Sequence, residues 1–249
     1  MPGSILESRG GKVFKSAEEL QGQNQTLDAK VSERTRELEL AQYEMLDRLA
    51  RASESRDDDT GQHTQRVGQL SGALAKAAGV PGEQCSLIRR AAALHDVGKI
   101  GIPDTILLKP GKLTPEEFDC MKTHTTIGAK ILSGSQFPLI QLAEEIALKH
   151  HERWDGTGYF GLGQEDTPLV ARIVTIADVY DVLTHARPYK EAWPVEKALA
   201  EIESQSGRAF DPRLVKIFLS TIWQQDLSNL RDEFVRESEL AGELTLVRG

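Results

Sequence analysis

The sequence predicts an all-α protein, and three observations carry that expectation. From about Arg56 onward apolar residues recur at helical spacing, as Val67, Leu70 and Leu74 do in one stretch and Leu142, Ile146 and His150 in another. No run alternates apolar and polar residues over the length of a strand. Before Arg56 lies a stretch rich in Glu, Gln, Leu, Arg and Ala, without proline and, after Gly22, without glycine. The expected architecture is a helical bundle preceded by a long N-terminal helix.

The chain is expected to have three parts. Residues 1–16 are Gly/Ser-rich with no periodicity and are expected to be flexible. Residues 17–55 form the linking helix. Asn24, Val31, Leu38 and Met45 share one heptad position, and Leu27 and Ala41 fall three residues after Asn24 and Leu38. Arg34 and Arg48 break that second seam, so the coiled-coil pattern is imperfect. A parallel homodimer stalk is the preferred reading, and a solvated single helix the alternative. Residues 56–249 form the bundle. Its loops are expected at Gly101–Pro103, Lys109–Lys112 and Asp155–Gly163. Thr114-Pro115-Glu116-Glu117 reads as a helix start, with Thr as N-cap and Pro at the first position.

Composition narrows the class. The chain has 249 residues, room for one sizeable domain and an appendage. Its net charge of −8 offers no general surface for a nucleic-acid polymer. No apolar stretch reaches the roughly 20 residues of a membrane span, and no signal peptide is evident. Cys85 and Cys120 are isolated and are read as reduced thiols of a cytoplasmic protein.

Chemistry enters with the histidines. Five of the six fall at metal-ligand spacings: His63, His95 followed at once by Asp96, His124, and the pair His150 and His151. Asp178 closes the set. Imidazole with carboxylate suits Zn, Mn, Fe and related ions, whereas Ca and Mg prefer oxygen. Seven ligands exceed one ordinary site and imply two metals, which together suit in-line displacement at phosphorus. His95 and Asp96, if helical, diverge by about 100° and reach neighbouring ions. Asp59 lies four residues before His63 on the same face, and by itself reads as an acid of the helix start. His185 is left over, as a surface residue or a support for a ligand.

At these residues the chain resembles the HD-GYP family of the HD phosphohydrolase superfamily. The matching stretches are RDDDTGQHTQRV, AALHDVGKIGIPDTILLKPGKLT, MKTHTTIGAKIL, HHERWDGTGYFGL, ARIVTIADVYDVLTHARPYK and GRAFDP. One departure stands out: the family's Gly-Tyr-Pro reads Gly158-Tyr159-Phe160, which frees φ and restores an N–H at position 160. The resemblance implies an HD-type helical bundle that hydrolyses cyclic di-GMP, with linear pGpG or GMP as the end product. It implies that His63, His95, Asp96 and Asp178 hold one metal and Asp96, His124, His150 and His151 the second. Fe or Mn is the expected metal, two or three ions in all, with Asp59 the ligand that the resemblance offers to a third. A hydroxide between the cations would attack phosphorus, with Asp96 and Lys99 at the chemistry.

The resemblance further places Lys99, Arg187 and Lys190 on the substrate phosphates. Tyr159 stacks on guanine or packs in its loop. Asp181, one turn beyond Asp178, is grouped with the substrate contacts, and its position also suits holding a metal ligand from behind. The linking helix resembles those that join an upstream sensory or receiver module to an HD-GYP domain. The alternative function is a catalytically weak cyclic di-GMP sensor or scaffold that docks a GGDEF-type partner.

Overall fold

The computed structural model describes residues 4–56, 62–186 and 191–224, with side chains described over 19–56, 62–186 and 191–221. Ten α-helices occur in that span: α1 (Ser4–Glu54), α2 (His63–Ala77), α3 (Gly82–Ala92), α4 (Asp104–Leu107), α5 (Pro115–Lys122), α6 (His124–Leu132), α7 (Pro138–Lys149), α8 (Leu169–Thr184), α9 (Val195–Ser204) and α10 (Pro212–Gln224). Among the described residues the only β-type pairing is an isolated bridge, Ser206–Phe210.

The chain divides into two compact units, Met1–Leu46 and Asp47–Gly249. Helix α1 begins at Ser4 rather than near Ala17. No proline interrupts it, and Gly10 and Gly11 weaken a helix without ending it. In the first unit Leu27, Val31, Leu38 and Met45 are all exposed. In the second unit the last turns of α1 turn inward, and Ala50, Ser53 and Glu54 are buried.

The core of the second unit is built around α8. Ala171, Ile173, Val174, Ile176, Ala177 and Tyr180 are buried on nearly all its faces, as expected of a helix wrapped by others. Helix α2 lies against α8 and α3, α7 against α6 and α3, and α9 and α10 close the far side. Tyr180 and Phe218 meet edge to face at 5.2 Å.

Local sequence sets the boundaries. Thr114 caps α5 in a full capping box, accepting from Glu117 N while Glu117 accepts from Thr114 N at 2.8 Å. Pro138 opens α7 at a position where its missing N–H costs nothing. One close approach shapes the turn after Asp96. A Cβ on Gly98 would lie 1.9 Å from His124 O and 2.4 Å from Gly128 N. Only glycine lets this turn press against the start of α6.

Candidate metal centre

Two clusters of imidazole and carboxylate adjoin in this core. Asp96, His124, His150 and His151 form one, and His63, His95 and Asp178 the other. Asp96 joins them. Its Oδ1 lies 3.3 Å from His124 Nε2 and 3.7 Å from His150 Nε2, and its Oδ2 lies 3.3 Å from His95 Nε2. Asp178 Oδ1 is 3.2 Å from His63 Nε2 and 3.8 Å from His95 Nε2.

Element ends deliver most of these groups. His63 and His124 begin α2 and α6, His150 follows the last residue of α7, and Asp178 alone comes from mid-helix, in α8. His95 and Asp96 depart from the sequence reading. They lie not on a regular helix but in turns between α3 and a 3-10 segment, Val97–Gly101. Their side chains therefore converge instead of diverging by a helical step. Two residues on, Gly98 packs its backbone against His124 O and Gly128 N of α6.

The imidazoles are held in one orientation. Nδ1 donates to Ala92 O at 2.9 Å in His95, to Met121 O at 2.7 Å in His124, and to Ile146 O and Ala147 O at 3.1 Å in His150. A carbonyl only accepts, so the proton sits on Nδ1 and the Nε2 lone pair faces the site. Those three Nε2 atoms, with Asp96 Oδ1, are buried and have no hydrogen-bond partner. Buried acceptors without donors cost free energy, and a cation among them would satisfy all four. The residues present thus fit a pair of metal ions.

Electrostatics differ between the clusters. Burial pushes His124 down and, with the neighbouring His150, pushes His151 well below the usual imidazole range, so both are neutral donors. Burial would also lower His63, but hydrogen bonds to Asp178 and Asp181 outweigh it and hold His63 up at about 10. Burial works against a charged Asp96, yet Lys99 and His95 keep its carboxyl well below the carboxylate range.

The remaining expected residues take varied places. Lys99 Nζ lies 2.8 Å from Asp96 Oδ2. Asp181 is corrected as a substrate contact. It is buried, accepting from His63 Nδ1 at 2.7 Å and from Arg66 Nε at 2.6 Å, so its oxygens are committed to protein. His185 rests on the same acid, Nδ1 3.1 Å from Asp181 Oδ1. Tyr159 tilts over His151 at 4.6 Å and meets Phe118 edge to face at 6.1 Å. Asp59, Arg187 and Lys190 lie outside the described residues.

Four charged residues were missed from the sequence. Arg66 grips Asp181. Arg56 donates to Lys99 O and Ile100 O at 3.1 Å and to Ile102 O at 2.7 Å, bracing the turn that carries Asp96. Glu152 is buried beneath the Gly-Tyr-Phe loop and accepts from Phe160 N and Leu162 N, both at 2.7 Å. Gly158 makes this possible, since a Cβ there would lie 2.6 Å from Glu152 Cα. The fourth is Glu54, buried at the end of α1 with Oε1 unpartnered. Only the adjacency of Glu152 to the histidine pair offered any signal.

An all-helical bundle with two adjoining His/Asp clusters that could each hold a metal ion defines the class of protein. The chain belongs to the HD domain family, which matches residues 47–214. It is 53% identical over 71% of its length to a "Cyclic di-GMP phosphodiesterase" of Thermotoga maritima, covering 48% of that protein. It is 52% identical over 74% of its length to the "Cyclic di-GMP phosphodiesterase response regulator RpfG" of Xanthomonas campestris, covering 49% of it. The chain therefore spans about half the length of these curated relatives. In fold it is similar to the crystal structure of a cyclic GMP-AMP specific phosphodiesterase of V. cholerae, with TM-score 0.56 and 20% identity, over 76% of this chain and 50% of that one.

Proposed function

We propose that the chain is a metal-dependent phosphodiesterase that opens cyclic di-GMP to linear pGpG and carries it on to GMP. The observation that carries this reading is the convergence of unpartnered His95, His124 and His150 Nε2 atoms on Asp96. His63, His95, Asp96 and Asp178 would hold one ion, and Asp96, His124, His150 and His151 the other. Fe or Mn suits this mixture of nitrogen and oxygen donors. Two such ions when bound polarise a phosphodiester and acidify water.

The protein's own work is positioning. Backbone carbonyls and Asp181 fix the imidazole tautomers. Lys99, beside Asp96, supplies positive charge where the phosphate sits, and Arg187 and Lys190 are proposed to clasp the second phosphate. Tyr159 walls the site next to His151 and offers a face for a guanine. A module upstream of α1 would govern the output, with a homodimer formed through the exposed Val31, Leu38 and Met45. The complete ligand set argues against a non-catalytic sensor docking a GGDEF-type partner, because both clusters have every donor the chemistry needs.

The test is direct. Protein loaded with Mn or Fe under reducing conditions is given cyclic di-GMP, and products are resolved by chromatography. Appearance of pGpG followed by GMP is the expected result. Metal-loaded protein that leaves cyclic di-GMP intact would overturn the reading.

A further inference from the structure

We infer that Asp211 and Arg172 are positioning residues, a strut from the GRAFDP stretch that holds the Gly-Tyr-Phe loop so that Tyr159 stays against His151. The effect on substrate rests on the phosphodiesterase reading of the site. The effect on the loop does not.

Residues 207–212 form a tight turn in which each has a part. Gly207 has a φ of +75°, a left-handed conformation that favours glycine, and its N–H donates to Phe210 O at 2.9 Å. Ala209 and Phe210 are buried, and Pro212 opens α10. Asp211 caps that helix, its Oδ1 accepting from Arg213 N at 2.8 Å.

Two sets of bonds reach from this turn to the loop. The first is backbone. Trp154 N donates to Ala209 O at 3.1 Å and Asp155 N to Arg208 O at 2.8 Å, while Gln164 N donates to Trp154 O at 2.9 Å and closes the base of the loop. The second starts from the other oxygen of Asp211. Oδ2 accepts from Arg172 Nη1 at 2.5 Å, and the guanidinium lies 5.6 Å from the centre of the Trp154 ring. The Asp211 side chain is 1% exposed and that of Arg172 12%, so solvent screens the pair little. Exposed Arg213 stands farther off, 3.6 Å from the same oxygen.

The loop carries a wall of the site. From Trp154 the chain runs five residues to Tyr159, whose ring tilts over His151 at 4.6 Å. Glu152 draws in the far side of the loop through Phe160 N and Leu162 N, and Arg172 with Asp211 fixes its base. Arg172 belongs to α8, the helix that also brings Asp178, and Thr175 of α8 donates to His150 O at 2.6 Å. Loop, histidine pair and Asp178 are thus referred to one helix. A buried ion pair is poor at adding stability, since apolar residues fill such space as well. Its use here is direction: a guanidinium held by a carboxylate sets where the indole lies.

The test uses Asp211→Asn in the full chain. Asparagine caps a helix as well as aspartate does, so the variant keeps the cap and removes the charge opposite Arg172. Hydrogen exchange read by mass spectrometry should quicken about 10–100-fold in the segment carrying the Phe160 and Leu162 amides, with α2 and α6 exchanging as in wild type. Trp154→Leu should quicken the same segment, and the double variant should add little, because both act through Arg172. In Mn-loaded protein, the KM of Asp211→Asn for cyclic di-GMP should rise about 10-fold, with kcat and metal content unchanged. Acceleration spread evenly over the bundle would reduce Asp211 to general stability and overturn the strut, as would wild-type exchange in the loop. A quickened loop with an unchanged KM would overturn the hold on Tyr159. Wild type that leaves cyclic di-GMP intact would overturn the phosphodiesterase reading, and the exchange experiment would still decide the strut.

Discussion

Asp181 holds His63 from behind, its Oδ2 accepting the Nδ1 proton at 2.7 Å while Arg66 secures its other oxygen at 2.6 Å. The bond fixes which nitrogen of His63 is free and where it points. Asp181→Asn should therefore weaken metal binding by about 10–100-fold although Asp181 touches no ion. Calorimetric titration with Mn²⁺ checks this, and a wild-type dissociation constant in the variant would refute it.

Asp96 reaches both clusters, with Oδ1 toward His124 and His150 and Oδ2 toward His95. Asp96→Asn should release both ions and abolish hydrolysis of cyclic di-GMP. Elemental analysis of dialysed protein reads the first effect and product chromatography the second. Retention of both ions would end the idea of a shared carboxylate.

Proton linkage should distinguish the two sites. His63 is held up at about 10 and His95 is raised as well, whereas His124 and His151 are pushed down. At neutral pH metal-free His63 carries a proton that an ion must displace, whereas His124 and His151 are already neutral. Metal uptake should release protons, and affinity at the first site should rise with pH toward 10. The folded-state value of His63 is raised, so its contribution to metal-free stability is full below the unfolded value near 6.5 and fades as pH rises through about 10. Calorimetry in buffers of different ionisation enthalpy measures the release. Heats independent of buffer would contradict it.

The seven side chains expected to converge do so, and their legibility has a physical basis. Imidazoles are scarce in this chain, and nearly all of them fall within apolar helical runs where a bare polar group is costly. Residue type and spacing alone therefore carried the clusters. They did not carry the conformation of His95 and Asp96, which lie in turns that lead into a 3-10 segment packed at Gly98 against His124 O of another element. Nor did they show that Asp181 spends both oxygens on His63 and Arg66. Glu54 was illegible for the same reason, because α1 looks solvated throughout and only the tertiary fold buries its last turn.

Phe160 has a function that its family's proline cannot perform. Its N–H donates to buried Glu152 at 2.7 Å, beside the parallel bond from Leu162. Phe160→Pro removes a hydrogen bond to a carboxylate, worth about 1.5–3 kcal/mol. The stiffer unfolded chain offsets about 0.4–1 kcal/mol of that. A net loss of roughly 1–2 kcal/mol in thermal unfolding is expected. A variant as stable as wild type would show that the Glu152 clamp contributes nothing through position 160.

The seam on α1 gives the last prediction. Val31, Leu38 and Met45 recur every seven residues and are 63%, 60% and 70% exposed, with Leu27 beside them at 58%. Single exposed apolar residues are ordinary, but a stripe in heptad register is what a second helix covers. Charge along the helix does not replace that burial, since a surface pair such as Arg34–Glu37 contributes little. Asn24 continues the same heptad position and would fix the register of two parallel copies. The full chain should sediment as a dimer. Val31→Glu with Leu38→Glu places like charges across the seam and should yield a monomer. Metal content should stay unchanged, because both positions lie in the Met1–Leu46 unit and every cluster residue in the other. A double variant that remains dimeric would move the interface to the bundle.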